Sequence, residues 1–449
     1  MKTLADISQA LAAGTMTSEA LTRQYLARIA DPAGEGARAF IKVHGDSALA
    51  AARASDSLRQ QGIVPSPLAG IPISVKDLFD LQGDTTCAGS IILKDAPPAE
   101  RDAPAMARLR AAGAIFIGRA NMTEFAYGGH GMNSHYGTPR NPWDRASGRI
   151  PGGSTSGGAV SVSDGMAAAT IGSDTGGSVR IPAALCGITG FKPTQARVPL
   201  EGAFPLSSTR DSIGPLGASA QCCIWLDAVM AGEQPHTPPS LSLQHLRFGV
   251  PTTILLDGLD KEVSTAFARA LTALSAAGAV IEEFAFHELA EEAAGSVRVN
   301  FSAVEAYALH RESLATRLAD FDPRVSRRLL LGADMNAADY YQLILLRKRL
   351  MAGADRRTAR FDALLAPTVP IVAPTIAEID ASEQALLRNN GLLLRNTAPF
   401  NVFDRPCWSL PCHVEGQAPV GLMVIGETMG DKKLQAIGVA LEQALAAQR

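Results

Sequence analysis

Apolar positions in the first 65 residues recur at helical spacing, with Leu21, Tyr25 and Ile29 following a Thr17-Ser18-Glu19 cap. A second helical pattern, rich in Ala and Arg, covers 46–62 and stops before Pro65. The pattern then changes. Residues 68–75 are apolar and in parts β-branched, a buried strand that delivers Lys76 at its end. Positions 104–113 return to helix, stopped by Gly113, and Ala114-Ile115-Phe116-Ile117-Gly118 forms another short buried strand. Strand, helix and strand in alternation predict an α/β fold: a large mixed, mainly parallel sheet with helices on both faces. Ligands of such sheets gather beyond the carboxyl ends of strands, and Lys76 sits at such an end.

Further along, 121–142 is a polar, Gly-rich loop carrying Tyr127, His130, Met132, His135 and Tyr136. Residues 151–193 hold two Gly-flanked serine clusters, with a small-residue segment between them that reads as a buried helix and a strand. A surface linker is expected at 233–245, and helical patterns, including 303–318 and 339–361, fill 260–360. Apolar runs at 362–368, 396–411 and 419–426 return to the sheet, and a last helix covers 431–447. Four segments follow: a helical cover over 1–65, a core over 66–232, a helical cap that sets specificity over 233–360, and a return to the sheet over 361–449. No internal repeat occurs at a solenoid period.

Composition narrows the function classes. The chain has 449 residues, 47% of them hydrophobic, enough for a large core. A net charge of −3 offers no field for nucleic acid or anionic lipid, so neither is expected as a partner. Lys2, Asp6 and Arg23 interrupt any secretory apolar run, and no run is long enough for a membrane span. Six cysteines are too few for a disulfide framework at this length, and Cys407 and Cys412 lack zinc-site spacing. A cytoplasmic location is expected; the sequons at Asn121 and Asn300 are taken as chance matches.

The two serine clusters carry the candidate chemistry. They are Gly152-Gly153-Ser154-Thr155-Ser156-Gly157-Gly158 and Gly172-Ser173-Asp174-Thr175-Gly176-Gly177-Ser178. Linkers do not alternate with long apolar segments in this way, and neither cluster has the lysine of a phosphate-binding loop. No G-x-S-x-G elbow or S-x-x-K motif accompanies them, so a serine nucleophile needs another base. Glycines beside a serine let backbone amides approach a reacting oxygen, and successive amides make an anion nest.

This stretch resembles the signature of the amidase signature family, which pairs a GGSS-type turn with a later GT-x-GGS turn. The upstream segment Gly70-Ile71-Pro72-Ile73-Ser74-Val75-Lys76-Asp77 is similar to that family's lysine strand. The resemblance implies a catalytic set of Ser178 as nucleophile, Ser154 as proton relay in a cis peptide, and Lys76 as base. It also implies that the 121–142 loop lines the acyl side of the pocket. Tyr127, His130, Met132 and Ser156 are the candidate substrate-binding residues; His130 and His135 are expected to have no catalytic duty. The backbone amides of Thr175, Gly176, Gly177 and Ser178 are the candidate oxyanion donors. Asp174 is expected to point away from them, while Ser156 and Ser173 hold the two turns together. Arg180 and Asp211 are expected to be structural, and Lys192, a rival base, to sit in a structural turn. Phe403-Asp404-Arg405 stands where most relatives have a glycine before the proline, which leaves the local pocket wall open.

The expected activity is hydrolysis of a small-molecule carboxamide to acid and ammonia or amine, with no metal or cofactor. Whether the chain forms a homodimer stays open. Two neighbouring activities share the signature: a glutaminyl-tRNA-type amidotransferase A subunit, and a hydrolase of urea-derived amides such as carboxybiuret or allophanate. A silent binding protein on the same fold is a third reading, disfavoured by the intact Lys76, Ser154 and Ser178.

Overall fold

The structure is a computed structural model and describes residues 2–296 and 300–446. Position 447, the end of the expected last helix, lies outside them. Eleven strands join in one sheet: β1 (Phe40–Val43), β2 (Pro72–Lys76), β3 (Ile115–Ala120), β4 (Ala169–Asp174), β5 (Thr189–Lys192), β6 (Ser212–Gly217), β7 (Arg247–Pro251), β8 (Val280–Phe284), β9 (Ala363–Pro367), β10 (Cys407–Pro411) and β11 (Gly421–Ile425). Their order is β1-β3-β2-β4-β6-β5-β10-β11-β9-β7-β8.

Both faces of the sheet are covered, as the continuous apolar strands imply. Along β10 and β11 alternate residues point to opposite sides. Trp408, Leu410, Leu422 and Val424 enter one core cluster. Cys407, Met423 and Ile425 enter another. Trp408 is fully buried, with its ring centroid 4.3 Å from that of Phe191 and its Nε1–H donating to Leu434 O at 2.9 Å.

Three details depart from the sequence reading. The sheet is mixed but not mainly parallel: β2 pairs parallel with β3 and β4, and β7 with β8 and β9. The other neighbours, including the whole run from β4 through β6, β5, β10 and β11 to β9, are antiparallel. The loop from β10 to β11 is too short for a crossover, so these strands must reverse direction. Within 1–65, helices Leu4–Ala12, Ser18–Ala30 and Gly45–Gln60 are joined by β1, a four-residue edge strand too brief to show a period. The 233–360 segment is not wholly helical, because β7 and β8 complete the far edge of the sheet.

The helix Asp431–Ala446 packs Gly438 directly against Trp408; a Cβ there would lie 2.3 Å from the indole Nε1. Alanine in a helix interior normally gains about 1 kcal/mol over glycine. Overpacking a core costs about 1–3 kcal/mol and should win here. Gly438→Ala is therefore expected to lower the urea midpoint, and a raised midpoint would show that Trp408 yields freely.

Candidate active site

The site forms where β2 and β4 end. They run parallel, with Ser74 beside Thr170 and Val75 beside Ile171. Lys76, the last residue of β2, therefore faces the chain leaving β4. That chain turns through Asp174–Ser178 and enters the helix Arg180–Cys186. The first serine cluster opens the helix Ser156–Ser163, whose residues 156–162 are all buried. The Gly153–Ser154 peptide bond is cis. A Cβ on Gly153 would lie 2.6 Å from the backbone nitrogen of Gly131, so only glycine lets these two segments touch.

Lys76 is completely buried. Its Nζ donates to Ser154 Oγ at 2.8 Å and to Ser173 Oγ at 2.9 Å. Burial lowers its pKa to about 7, against the opposing pull of the Asp174 and Asp211 carboxylates. An amine with that pKa is substantially uncharged at neutral pH and able to take a proton from a hydroxyl beside it. Lys192, the rival, is also buried, but its Nζ is bound to Pro193 O at 2.8 Å.

Asp174 organises the second turn and does not line the cavity onto which Ser178 opens. Its Oδ1 accepts from Gly177 N at 2.8 Å and its Oδ2 from Val179 N at 3.1 Å. Arg180 grips both oxygens, Nη2 to Oδ1 at 2.8 Å and Nε to Oδ2 at 3.0 Å. Burial opposes ionisation of this carboxyl, yet the Arg180 charge overrides it and holds the pKa well below the usual carboxylate range. The Gly177 amide is thus occupied, which corrects the expectation of four oxyanion donors. The amides of Thr175, Gly176 and Ser178 remain without an acceptor among the described residues. Gly177 has φ +133°, and a Cβ there would lie 2.3 Å from Thr397 Oγ1. Thr175 is pinned from the other side by its hydroxyl, which donates to Asp211 Oδ1. Arg180 and Asp211 are therefore structural.

Ser178 opens onto a cavity of about 490 Å³, within the range of small-molecule sites. Among the described residues no hydrogen bond holds its hydroxyl, so the oxygen is free to turn towards a ligand. Thr175 and Gly176 share the same wall. Three preorganised amides, a serine and a neutral amine behind a second serine are the parts an acyl-transfer site needs.

A family model described as Amidase matches residues 20–434. The chain belongs to the amidase family. It is 36% identical over 98% of its length to the A subunit of the glutamyl-tRNA(Gln) amidotransferase of Roseiflexus sp. (strain RS-1), covering 96% of that protein. It is also 36% identical over 88% of its length to the 2-amino-5-chloromuconic acid deaminase of Comamonas testosteroni, covering 86% of it. A crystal structure of an amidase matches with a TM-score of 0.88 and 34% identity, covering 98% of this chain and 99% of that one. Enzymes of this family act on carbon–nitrogen bonds.

Of the candidate substrate-binding residues, only Tyr127 lines the cavity. Met132 is buried in an apolar cluster with Ile181 and Leu185. His130 is buried too; its Nδ1 accepts from Met132 N at 3.0 Å, and burial pushes its pKa down to about 3. Ser156 is fully buried and its hydroxyl donates to Asn121 O at 3.4 Å. All three are engaged by neighbouring protein atoms and stand outside the cavity wall. His135 is hydrogen-bonded to Glu124 at 2.9 Å. The two serine turns are joined not by Ser156 and Ser173 but by Thr155 N–H donating to Ser178 O at 3.3 Å. Ser173 instead holds Lys76.

Sequence reasoning missed the opposite wall, which includes Arg210, Glu292, Ser302, Arg328 and Arg395. They come from segments far apart in the chain, and no local motif marks any of them.

The Asp174–Arg180 pair has no solvent exposure on either side chain. Removing one partner of such a pair typically costs about 3–5 kcal/mol, because a buried charge is left alone. Arg180→Leu should lose stability on that scale in urea unfolding, and Asp174→Asn introduced with it should recover part. A loss below about 1 kcal/mol would mean that water reaches Asp174.

Proposed function

We propose that this chain is an amidohydrolase that cleaves a carboxamide through an acyl-Ser178 intermediate. The observation that carries the reading is the 2.8 Å hydrogen bond between Ser154 Oγ and Lys76 Nζ, whose pKa burial brings to about 7. Ser178 Oγ attacks the amide carbonyl while its proton passes to Ser154, whose own proton passes to the Lys76 amine. The carbonyl oxygen becomes an anion that the Thr175, Gly176 and Ser178 amides receive; one such donor is typically worth about 2.7–4 kcal/mol of barrier. The carbon–nitrogen bond then breaks, and the lysine proton returns through Ser154 to the leaving nitrogen. Water repeats the path against the ester and releases the acid. Every proton and electron pair stays among these residues, water and substrate.

Similarity over nearly the whole chain to one subunit of an amidotransferase favours a second reading, in which the ammonia passes to a partner protein. Net charge −3 gives this chain no overall positive field to attract tRNA, which favours the free-standing hydrolase. The purified chain alone is expected to release ammonia from an amide in a substrate panel. Turnover that begins only when partner proteins are added would favour the second reading.

The lysine role gives a separate expectation. Below pH 7 Lys76 gains its proton and can no longer act as base, so kcat/KM should fall with pH on a limb centred near 7. Lys76→Ala should lower kcat by several orders of magnitude, and Lys76→Arg should not restore it, since arginine keeps its proton. Near-normal activity in Lys76→Arg would refute a lysine base.

A further inference from the structure

Ile254 lines the cavity that holds Ser178, and its backbone lies in the left-handed region with φ +65°. Across it the Leu255 N–H donates to Thr253 O at 2.7 Å, closing a three-residue turn. With φ positive at the central residue, this is the rare and strained form of that turn. Eight non-glycine residues have positive φ among the described residues, and Ile254 alone of them is branched at Cβ. A branched side chain is what the left-handed region tolerates least, whereas glycine or asparagine sits there at little cost.

The fold holds this turn from both sides. Thr253 Oγ1 accepts from Phe286 N at 3.0 Å, and Leu255 O accepts from Asn396 Nδ2 at 3.0 Å. Leu255 is fully buried in one core cluster, and Leu256 packs against another. Ile254, between the anchors, is half-buried and joins no core cluster among the described residues. Phe125 makes the contrast. It too is left-handed, at φ +51°, but it is 1% exposed, with its ring centroid 4.1 Å from that of His310 and 5.5 Å from that of Phe204. Burial offsets the strain at Phe125; no core contact does so at Ile254. Strain that the surroundings hold in place gathers at ligand-binding sites. The turn is also registered to the reacting serine: Asn396, which holds Leu255 O, is followed by Thr397, whose hydroxyl donates to Gly176 O at 2.6 Å.

We propose that Ile254 is a specificity-determining residue, whose branched side chain packs on hydrocarbon in the acyl group of the substrate amide. This rests on the amidohydrolase reading above. A carboxamide that loses ammonia brings only its acyl group into the cavity, so that group is what Ile254 meets. Contact with the ligand, and not with the protein, offsets the cost of an isoleucine in this turn.

The test compares kcat/KM for hexanamide with that for propanamide in the wild type, Ile254→Leu and Ile254→Asn. Leucine keeps the hydrocarbon, whereas asparagine suits the turn and removes it. The wild type should prefer hexanamide by about tenfold or more. Ile254→Leu should retain the preference, and Ile254→Asn should cut it by about tenfold, with the loss in KM for hexanamide. Urea unfolding supplies the second readout: the midpoint of Ile254→Asn should hold or rise, because its turn is relaxed. A preference absent from the wild type, unchanged in Ile254→Asn, or lost equally in Ile254→Leu would overturn the proposal while leaving acyl transfer at Ser178 intact. So would a lost preference joined to a lowered midpoint, since the side chain would then serve the fold. If neither amide is turned over, calorimetry with both decides the wall instead. Tighter binding of hexanamide that disappears in Ile254→Asn supports the contact; binding that is equal, absent or unchanged in the variant overturns it. The amidohydrolase reading itself fails only if no amide in the panel reacts and a fluorophosphonate does not label Ser178.

Discussion

Everything at the site depends on keeping an amine uncharged within reach of two carboxylates. Lys76 has no access to water, which favours the neutral form, yet Asp174 and Asp211 both pull towards the ammonium. The structure resolves the conflict by occupying those carboxylates with other partners. Asp174 is taken by Arg180, by backbone amides and by Asn401 Nδ2. Asp211 takes the Thr175 hydroxyl and two backbone amides, and burial pushes its own pKa up to about 6, which weakens its charge near neutrality. What remains for Lys76 is a pair of neutral hydroxyls, Ser154 and Ser173. This arrangement costs stability: between pH 7 and the ordinary lysine value the folded chain holds fewer protons than the unfolded one, so the penalty is full below pH 7 and eases as pH rises.

The same network explains the shape of the Ser178 turn. Asp174 satisfies Gly177 N and Val179 N while its charge is absorbed by Arg180, so the turn stays closed without presenting a negative group to the cavity. The Thr175, Gly176 and Ser178 amides are left without an acceptor among the described residues, in a turn that lines the cavity. Such preorganisation matters because the donors need no rearrangement when charge develops. A carboxylate near an anion site is tolerable only when it is neutralised on its far side, and Arg180 does that here.

Local chemistry was legible in the chain; assembly was less so. Glycines at 153 and 177 announce close backbone approach, and both prove to have no room for a Cβ. The apolar run ending at Lys76 announces a buried strand with a lysine at its carboxyl end, and β2 is that strand. The direction of β5, β6, β10 and β11 was not legible, because parallel and antiparallel buried strands share one apolar pattern. The turn partners were misassigned for a related reason: Ser156 and Ser173 carry the same hydroxyl, and only the packing decides that one meets Asn121 and the other Lys76. Arg210 and Arg328 gave no signal either. Arg210 sits in a polar loop and Arg328 in the short helix Pro323–Leu330, and an arginine in such surroundings reads as solvated until the tertiary fold turns it inward.

The claim that burial makes Lys76 a neutral base is most directly tested by its titration. Uniformly ¹³C-lysine-labelled protein, with the Lys76 resonance assigned by its loss in Lys76→Arg, reports the protonation of Nζ through the Cε shift as pH is varied. A midpoint near 7 is expected, well below the ordinary lysine range. A midpoint near the ordinary value of about 10.4 would contradict it, since the amine would then be charged at neutral pH and unable to accept the Ser154 proton.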